Sequence, residues 1–188
     1  MRTNWSYEVE ALPPIISVQE LRAIAPTLSA TDAQLQAVLD GVSAAVRDWC
    51  GWHVAPRLEC TYTGQGEGRL LMLPAMGVSD VKSLKVRGEA VDGFEWTAAG
   101  MVRADRPFPD EWRSVVCVYE AGFDAAAVGQ VAAQIAMNAL TAAPGVREEH
   151  AGQVGITYNS TGSGISGGVS ILGRDRDLLA PYRLARAW

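Results

Sequence analysis

Residues 159–177, NSTGSGISGGVSILGRDRD, hold the two patterns in this chain that come nearest to chemistry. Gly162-Ser163-Gly164-Ile165-Ser166-Gly167 fits G-x-G-x-x-G, whose glycines let a helix N-terminus approach a pyrophosphate. Gly164-Ile165-Ser166-Gly167-Gly168 fits G-x-S-x-G, in which a strained strand-to-helix turn presents a serine to a histidine base. Each pattern works only in its context. The dinucleotide fingerprint needs a helix opening within it and a second strand with an acidic residue about 20 positions later. Only 21 residues follow Gly167, and Val169 to Leu172 reads as strand. The serine elbow needs a later histidine, and none follows His150. We read neither motif as catalytic or cofactor-binding.

The remaining reactive residue types form no constellation. Cys50, Cys60 and Cys117 are odd in number, widely spaced and flanked by apolar or strand-like residues. This is the pattern of small core hydrophobes in a reducing compartment rather than of disulfides or a zinc site. His53 and His150 lack the i, i+4 spacing of a helical metal site and read as solvated or incidental. Glu148-Glu149 and Asp175/Asp177 lie beside arginines, the arrangement of a solvated surface. Asn4-Trp5-Ser6 and Asn159-Ser160-Thr161 match the glycosylation sequon, which has meaning only after secretion. No catalytic residue, metal site or cofactor is expected.

The elements that would position these residues begin after Pro13-Pro14. Ser17 and Glu20 form a capping box opening a short helix, with Leu21 and Ile24 as its apolar side and Pro26 as its end. Thr31 and Gln34 repeat the cap. Leu35, Val38, Leu39, Val42, Val46 and Trp49 then recur at three- and four-residue spacings, an amphipathic helix stopped at Gly51. From about Arg57 to Tyr119 the pattern is of short strands: Leu58 to Thr63, Arg69 to Leu73, Val78 to Val86, Phe94 to Thr97 and Ser114 to Tyr119. Turns are signalled at Gly64-Gln65-Gly66, Arg87-Gly88 and Asp92-Gly93. Connections this short predict antiparallel pairing in a compact sheet or small sandwich. Asp124 caps an alanine-rich helix with Val128, Val131, Ile135, Ala139 and Leu140 along one face, packed against the Leu35–Trp49 helix and ended by Pro144-Gly145. Gly155 to Tyr158 reads as a short strand, and residues 175–186 as one or two helical turns around Pro181.

A chain of 188 residues with 48% hydrophobic and 20% charged content supports one domain with a real core and excludes disorder throughout. Its net charge of −5 provides no overall field toward nucleic acid or anionic membrane. Met1 to Pro14 lacks a signal-peptide apolar run, and no window approaches the roughly 18 apolar residues that span a bilayer, so a cytoplasmic site of synthesis is expected.

The two ends differ from the middle. Trp5 and Tyr7 sit in a segment without helical or strand periodicity to bury them. Leu178, Leu179, Tyr182, Leu184 and Trp188 alternate with Arg174, Arg176, Arg183 and Arg186. Aromatic and arginine side chains are enriched at protein interfaces.

The succession DAQLQAVLDGVSAAVRDWCGW, RLECTYTGQGEGRLLMLPAMGVSDVKSLKVRGEAVDGFEW, SVVCVYEAGFD, an alanine-rich helix, HAGQVGITYNS and LLAPYR resembles the head-to-tail connector (adaptor) proteins of long-tailed phages and gene transfer particles. The resemblance covers roughly residues 15–185 and rests on element order and on phrases such as LLMLP, VSDVKSL and VYEAGF.

It implies an α+β fold: a helical bundle core with an inserted antiparallel β-rich region and an extended C-terminal segment. The corresponding parts are an N-terminal arm (1–14), a helical pair (15–52), the β-rich insertion (57–120), a core helix (124–143), and a glycine-rich loop with docking segment (150–188). It also implies a virion protein, made in the host bacterial cytoplasm, forming a ring below the portal and continuing the DNA channel. Expected partners are the portal, about twelve copies of itself, the next neck or tail component, and DNA that passes without specific binding. Portal or subunit interface candidates are Trp5, Tyr7, Tyr158, Leu178, Leu179, Tyr182, Arg183, Arg186 and Trp188. The run from Ser160 to Gly168 is expected to be an assembly-dependent loop or hinge. The alternatives are a small soluble hydrolase and a monomeric binding module.

Overall fold

The structure, a computed structural model, describes residues 1, 3–141, 148–151, 154–157, 160–161, 165–166 and 169–184. In chain order the elements are β1 (Tyr7–Val9), α1 (Val18–Ile24), α2 (Asp32–Cys50), β2 (Leu58–Gly64), β3 (Leu70–Met72), β4 (Asp80–Val86), β5 (Glu89–Ala90), β6 (Phe94–Trp96), β7 (Met101–Ala104) and β8 (Val115–Ala121). They continue with α3 (Ala125–Thr141), β9 (Glu148–Ala151), β10 (Val154–Thr157), β11 (Ser160–Thr161), β12 (Ile165–Ser166), α4 (Gly173–Leu179) and a 3-10 turn (Ala180–Tyr182). The fold is α+β, and the chain divides into two compact units.

The first unit takes Met1–Pro13, Cys50–Asp124 and the stretch from Tyr182. Its larger sheet is antiparallel, in the order β1-β2-β8-β4-β5. The central strand β8 alternates buried and half-buried residues, with Val115, Cys117, Tyr119 and Ala121 inward. That period of two is what a sheet with one packed face requires. A second antiparallel sheet runs β3-β7-β6, with Leu71, Val102 and Ala104 on its buried side. The small-sandwich expectation thus becomes two sheets. The turn predicted at Arg87-Gly88 forms and joins β4 to β5 as a hairpin, with both residues at positive φ, 52° and 85°, which suits the twist of a two-residue connection.

Three strands of this unit, β1, β5 and β7, have no counterpart among the expected ones. Because β1 forms, the N-terminal arm is not free: Tyr7 pairs with Tyr62 and Val9 with Cys60.

The second unit takes Pro14–Trp49 and Ala125–Pro181. The Ser17–Glu20 capping box is present in both directions, and Thr31 and Gln34 exchange the same pair of bonds ahead of α2. α2 buries Leu35, Leu39, Val42, Val46 and Cys50, and Gly51 stops it at φ 80°. In α1 Leu21 is buried, but Ile24 is 50% exposed and does not belong to the core. In α3 the buried face is Val128, Ala132, Ala133, Ile135 and Ala136, with Val131, Ala139 and Leu140 at its half-buried margin. Small residues on that face permit close approach, and α3 packs beside α4. Gly129 meets Ile16 so closely that a Cβ there would lie 2.8 Å from the Ile16 Cγ2.

Two antiparallel hairpins, β9 with β10 and β11 with β12, occupy the region read as polar and glycine-rich. Val169–Leu172, read as strand, instead leads by a bend into α4. The Pro144-Gly145 stop lies outside the described residues, as do the residues from 162 to 164 and 167 to 168 of the expected hinge.

Candidate interface segments

The C-terminal segment is built from α4 onward. Its first turn is closed by Asp175, whose carboxylate accepts the Leu172 N–H at 3.1 Å. Asp175 is only 1% exposed, with Arg174 Nε 3.8 Å away, which corrects its reading as solvated surface; Asp177 is exposed. The guanidinium of Arg176 stands 4.9 Å from the centroid of the Trp49 ring, a cation–π contact inside this unit. The one-residue step from Leu178 to Leu179 turns the side chain about 100° around the helix. Leu179 is buried, whereas Leu178 is 53% exposed. Of these two candidates, Leu178 is the one that offers a surface.

Beyond Pro181 the chain is tied down in the first unit. Trp52 Nε1 donates to the Tyr182 carbonyl at 2.6 Å, the Tyr182 ring stands edge-on to Phe123 with centroids 5.0 Å apart, and the Leu184 N–H donates to the Cys50 carbonyl at 2.9 Å. So residues 173–182, within the segment expected to be extended, are helical, and Tyr182 is half-buried. Arg183 is exposed. Tyr158, Arg186 and Trp188 lie outside the described residues.

At the other end of the chain, Tyr7 is 1% exposed and Trp5 half-buried, with their rings 6.0 Å apart. The absence of strand periodicity around them was misleading because β1 is only three residues long. The Tyr7 hydroxyl lies 2.7 Å from His53 Nδ1 and accepts the His53 backbone N–H at 3.0 Å. His53 Nε2 lies 3.0 Å from the Ala121 carbonyl. A carbonyl only accepts, so Nε2 carries the proton and Nδ1 receives the tyrosine O–H. His53 is therefore fully buried and bonded, not solvated as its sequence setting implied. What turns it inward is a γ-turn: the Ala55 N–H reaches the His53 carbonyl at 2.7 Å, with Val54 at φ 61°.

The three cysteines are free and buried, as read from their spacing. Burial pushes the Cys50 thiol up to about 11 and the Cys60 and Cys117 thiols up to about 12, so none is held as a nucleophilic thiolate. Among the described residues no group of three or more His, Cys, Asp or Glu side chains could hold a metal ion, and no helix is long and apolar enough to cross a membrane.

One further surface lies on the three-stranded sheet. Leu70, Met72 and Met101 point away from the buried side of the three-stranded sheet, Met72 directly opposite Met101, and they are 42%, 62% and 37% exposed. The signal was present in the alternation of LLM and MVRA, but β7 is too short to be recognised alone. Beside them, Tyr62, Glu67, Leu70, Met72, Phe108 and Asp110 line an open cleft of about 1050 Å3.

No protein-family model matches the sequence, and no curated protein does. Solved structures do match in fold. A chain from the neck of a native gene transfer agent particle, computed with C12 symmetry, superposes with a TM-score of 0.59 at 19% identity, covering 100% of this chain and 98% of that one. A chain from the neck of an empty particle, computed with C6 symmetry, gives 0.59 at 17% identity, with 97% of each chain covered. A chain from the virion of the native particle gives the same figures. The fold is thus one found in the neck of these particles, in agreement with the resemblance to head-to-tail connectors.

Proposed function

We propose that this chain is a structural, non-enzymatic virion protein of the neck, forming a ring below the portal that joins the capsid to the neck or tail and continues the DNA channel. The observation that carries the reading is the end-to-end match of fold with chains of symmetric necks, which leaves no large part of either chain over. In this reading the helices of the second unit form the bundle core, the sheets of the first are the β-rich insertion, and about twelve copies close by head-to-tail contacts. The partners are the portal above, the next neck or tail component below, and DNA in the lumen. A net charge of −5 accords with a channel that does not hold DNA, since phosphate neutralisation would oppose sliding.

Leu178, Tyr182 and Arg183 are the proposed portal contacts, with Leu179 holding α4 in place from its buried side. Tyr158, Arg186 and Trp188 remain interface candidates. Trp5 adds a smaller surface, and Tyr7 contributes through the core. The test is quantitative mass spectrometry of particles banded on a gradient. A ratio near one copy per portal subunit is expected; absence of the chain from particles would overturn the reading.

A further inference from the structure

We propose that the cleft at the Gly64 end of β2 receives residues 185–188 of a neighbouring copy of this chain, a contact that rests on the ring reading above and names its interface. The cleft has the chemistry of a receptor for a basic, apolar peptide. Tyr62 and the 7% exposed Phe108 form its floor, and Leu70 and Met72 are a lip of exposed apolar surface. Glu67 and Asp110 are exposed carboxylates on its wall, and neither has an ion-pair partner among the described residues.

Beyond Leu184, whose N–H is held by the Cys50 carbonyl, Ala185-Arg186-Ala187-Trp188 supplies the complement: a guanidinium group and an indole. Arginine pairs with carboxylates in a fixed fork, and tryptophan brings the largest apolar area of any side chain.

Geometry selects a neighbour over the chain's own cleft. The segment departs near the Leu58 end of β2, because Tyr182 packs on Phe123 and Ala121 pairs with Leu58. The cleft lies at the other end of the same strand, about 20 Å away for seven residues at strand rise. Trp188 lies four residues past Leu184, a reach of at most about 14 Å. Donor segment and acceptor cleft therefore sit at opposite ends of one strand. That is the head-to-tail arrangement, which repeats from copy to copy and closes when the rotation permits.

The test uses two full-length chains carrying different tags, one with Gln65→Cys in the cleft wall and the other with Ala187→Cys. The native thiols are buried and do not compete. Under mild oxidation the mixed disulfide is expected to form at least tenfold faster than with Glu89→Cys, on the exposed β5, in place of Gln65→Cys. Arg186→Glu in the tail chain is expected to slow it at least fivefold, and Glu67→Arg in the cleft chain to restore it. A single chain carrying both cysteines should give a ladder of covalent multimers. A disulfide confined within one chain, or a rate equal to the Glu89→Cys control, overturns the proposal. A ring seen by native mass spectrometry without this disulfide overturns the docking contact alone. Formation of the disulfide by a chain absent from particles overturns the neck reading alone.

Discussion

The Tyr7 hydroxyl and the His53 ring meet at 2.7 Å, and the same oxygen accepts the His53 backbone N–H. This joins the first strand to the connection after α2 in a site from which water is excluded. Tyr7→Phe removes the shared oxygen and leaves the His53 N–H and Nδ1 without it. Losing a buried polar partner costs about 1–3 kcal/mol, so the thermal midpoint should fall by several degrees. Trp5→Ala, at a half-buried position, should move it less. Equal midpoints for Tyr7→Phe and the parent chain would show that the network adds no stability.

This relationship also marks the limit of what the sequence made legible. Caps and long periodic runs could be read directly: Ser17–Glu20, Thr31–Gln34, the α2 stripe and the strands β2, β4 and β8 depend on neighbours within a few residues. β1 and β7 could not, because three or four residues of alternation carry little signal and their stability comes from partners far along the chain, β2 for one and β3 and β6 for the other. His53 was missed for the same reason, since its partners Tyr7 and Ala121 are 46 and 68 residues away. Asp175 was read with the charges beside it, yet its place is fixed by the cap it makes with Leu172. The candidates in the last helix divided on a matter of rotation: LL reads alike at both positions, and only the packing separates Leu178 from Leu179.

Gly122 should tolerate no side chain. It adopts φ 118°, and a Cβ there would lie 2.7 Å from the Pro56 carbonyl oxygen and 2.9 Å from His53 Nε2. Gly88 is also at positive φ, 85°, but has open space around its missing side chain. Gly88→Ala should therefore cost only the backbone term, about 1–2 kcal/mol. Gly122→Ala adds a clash with rigid backbone to the same term. Urea denaturation of the two variants should rank them in that order, with Gly122→Ala clearly the worse.

Alkaline pH should unfold the chain through its thiols. The folded protein holds Cys60 and Cys117 protonated up to about 12 and Cys50 up to about 11, against about 8.5 for an exposed thiol. Raised folded values mean that the contribution is fully present below the unfolded value and is lost as pH rises toward the folded one. Between about pH 9 and 11 the unfolded state binds fewer protons, so stability falls by up to about 1.4 kcal/mol per pH unit for each buried thiol. The urea midpoint measured from pH 7 to 10.5 should stay level and then drop. Cys117→Ala should lessen the slope while lowering the plateau.

The proposed portal contact calls for a variant that leaves the fold intact, and removing residues 174–188 does not meet that condition. The deletion would take away the Asp175 cap, the buried Leu179 and the Tyr182 carbonyl that receives Trp52 Nε1, so failure to attach would report unfolding as readily as a lost contact. Leu178→Asp is the cleaner change. The side chain is 53% exposed, and most surface substitutions of this kind shift stability by less than about 0.5 kcal/mol. A carboxylate placed in an apolar contact opposes binding by its desolvation cost. The melting temperature of Leu178→Asp should match that of the parent while its recovery with portal-bearing capsids falls at least tenfold. Unchanged recovery would remove Leu178 from the interface and leave Tyr182 and Arg183 to carry it.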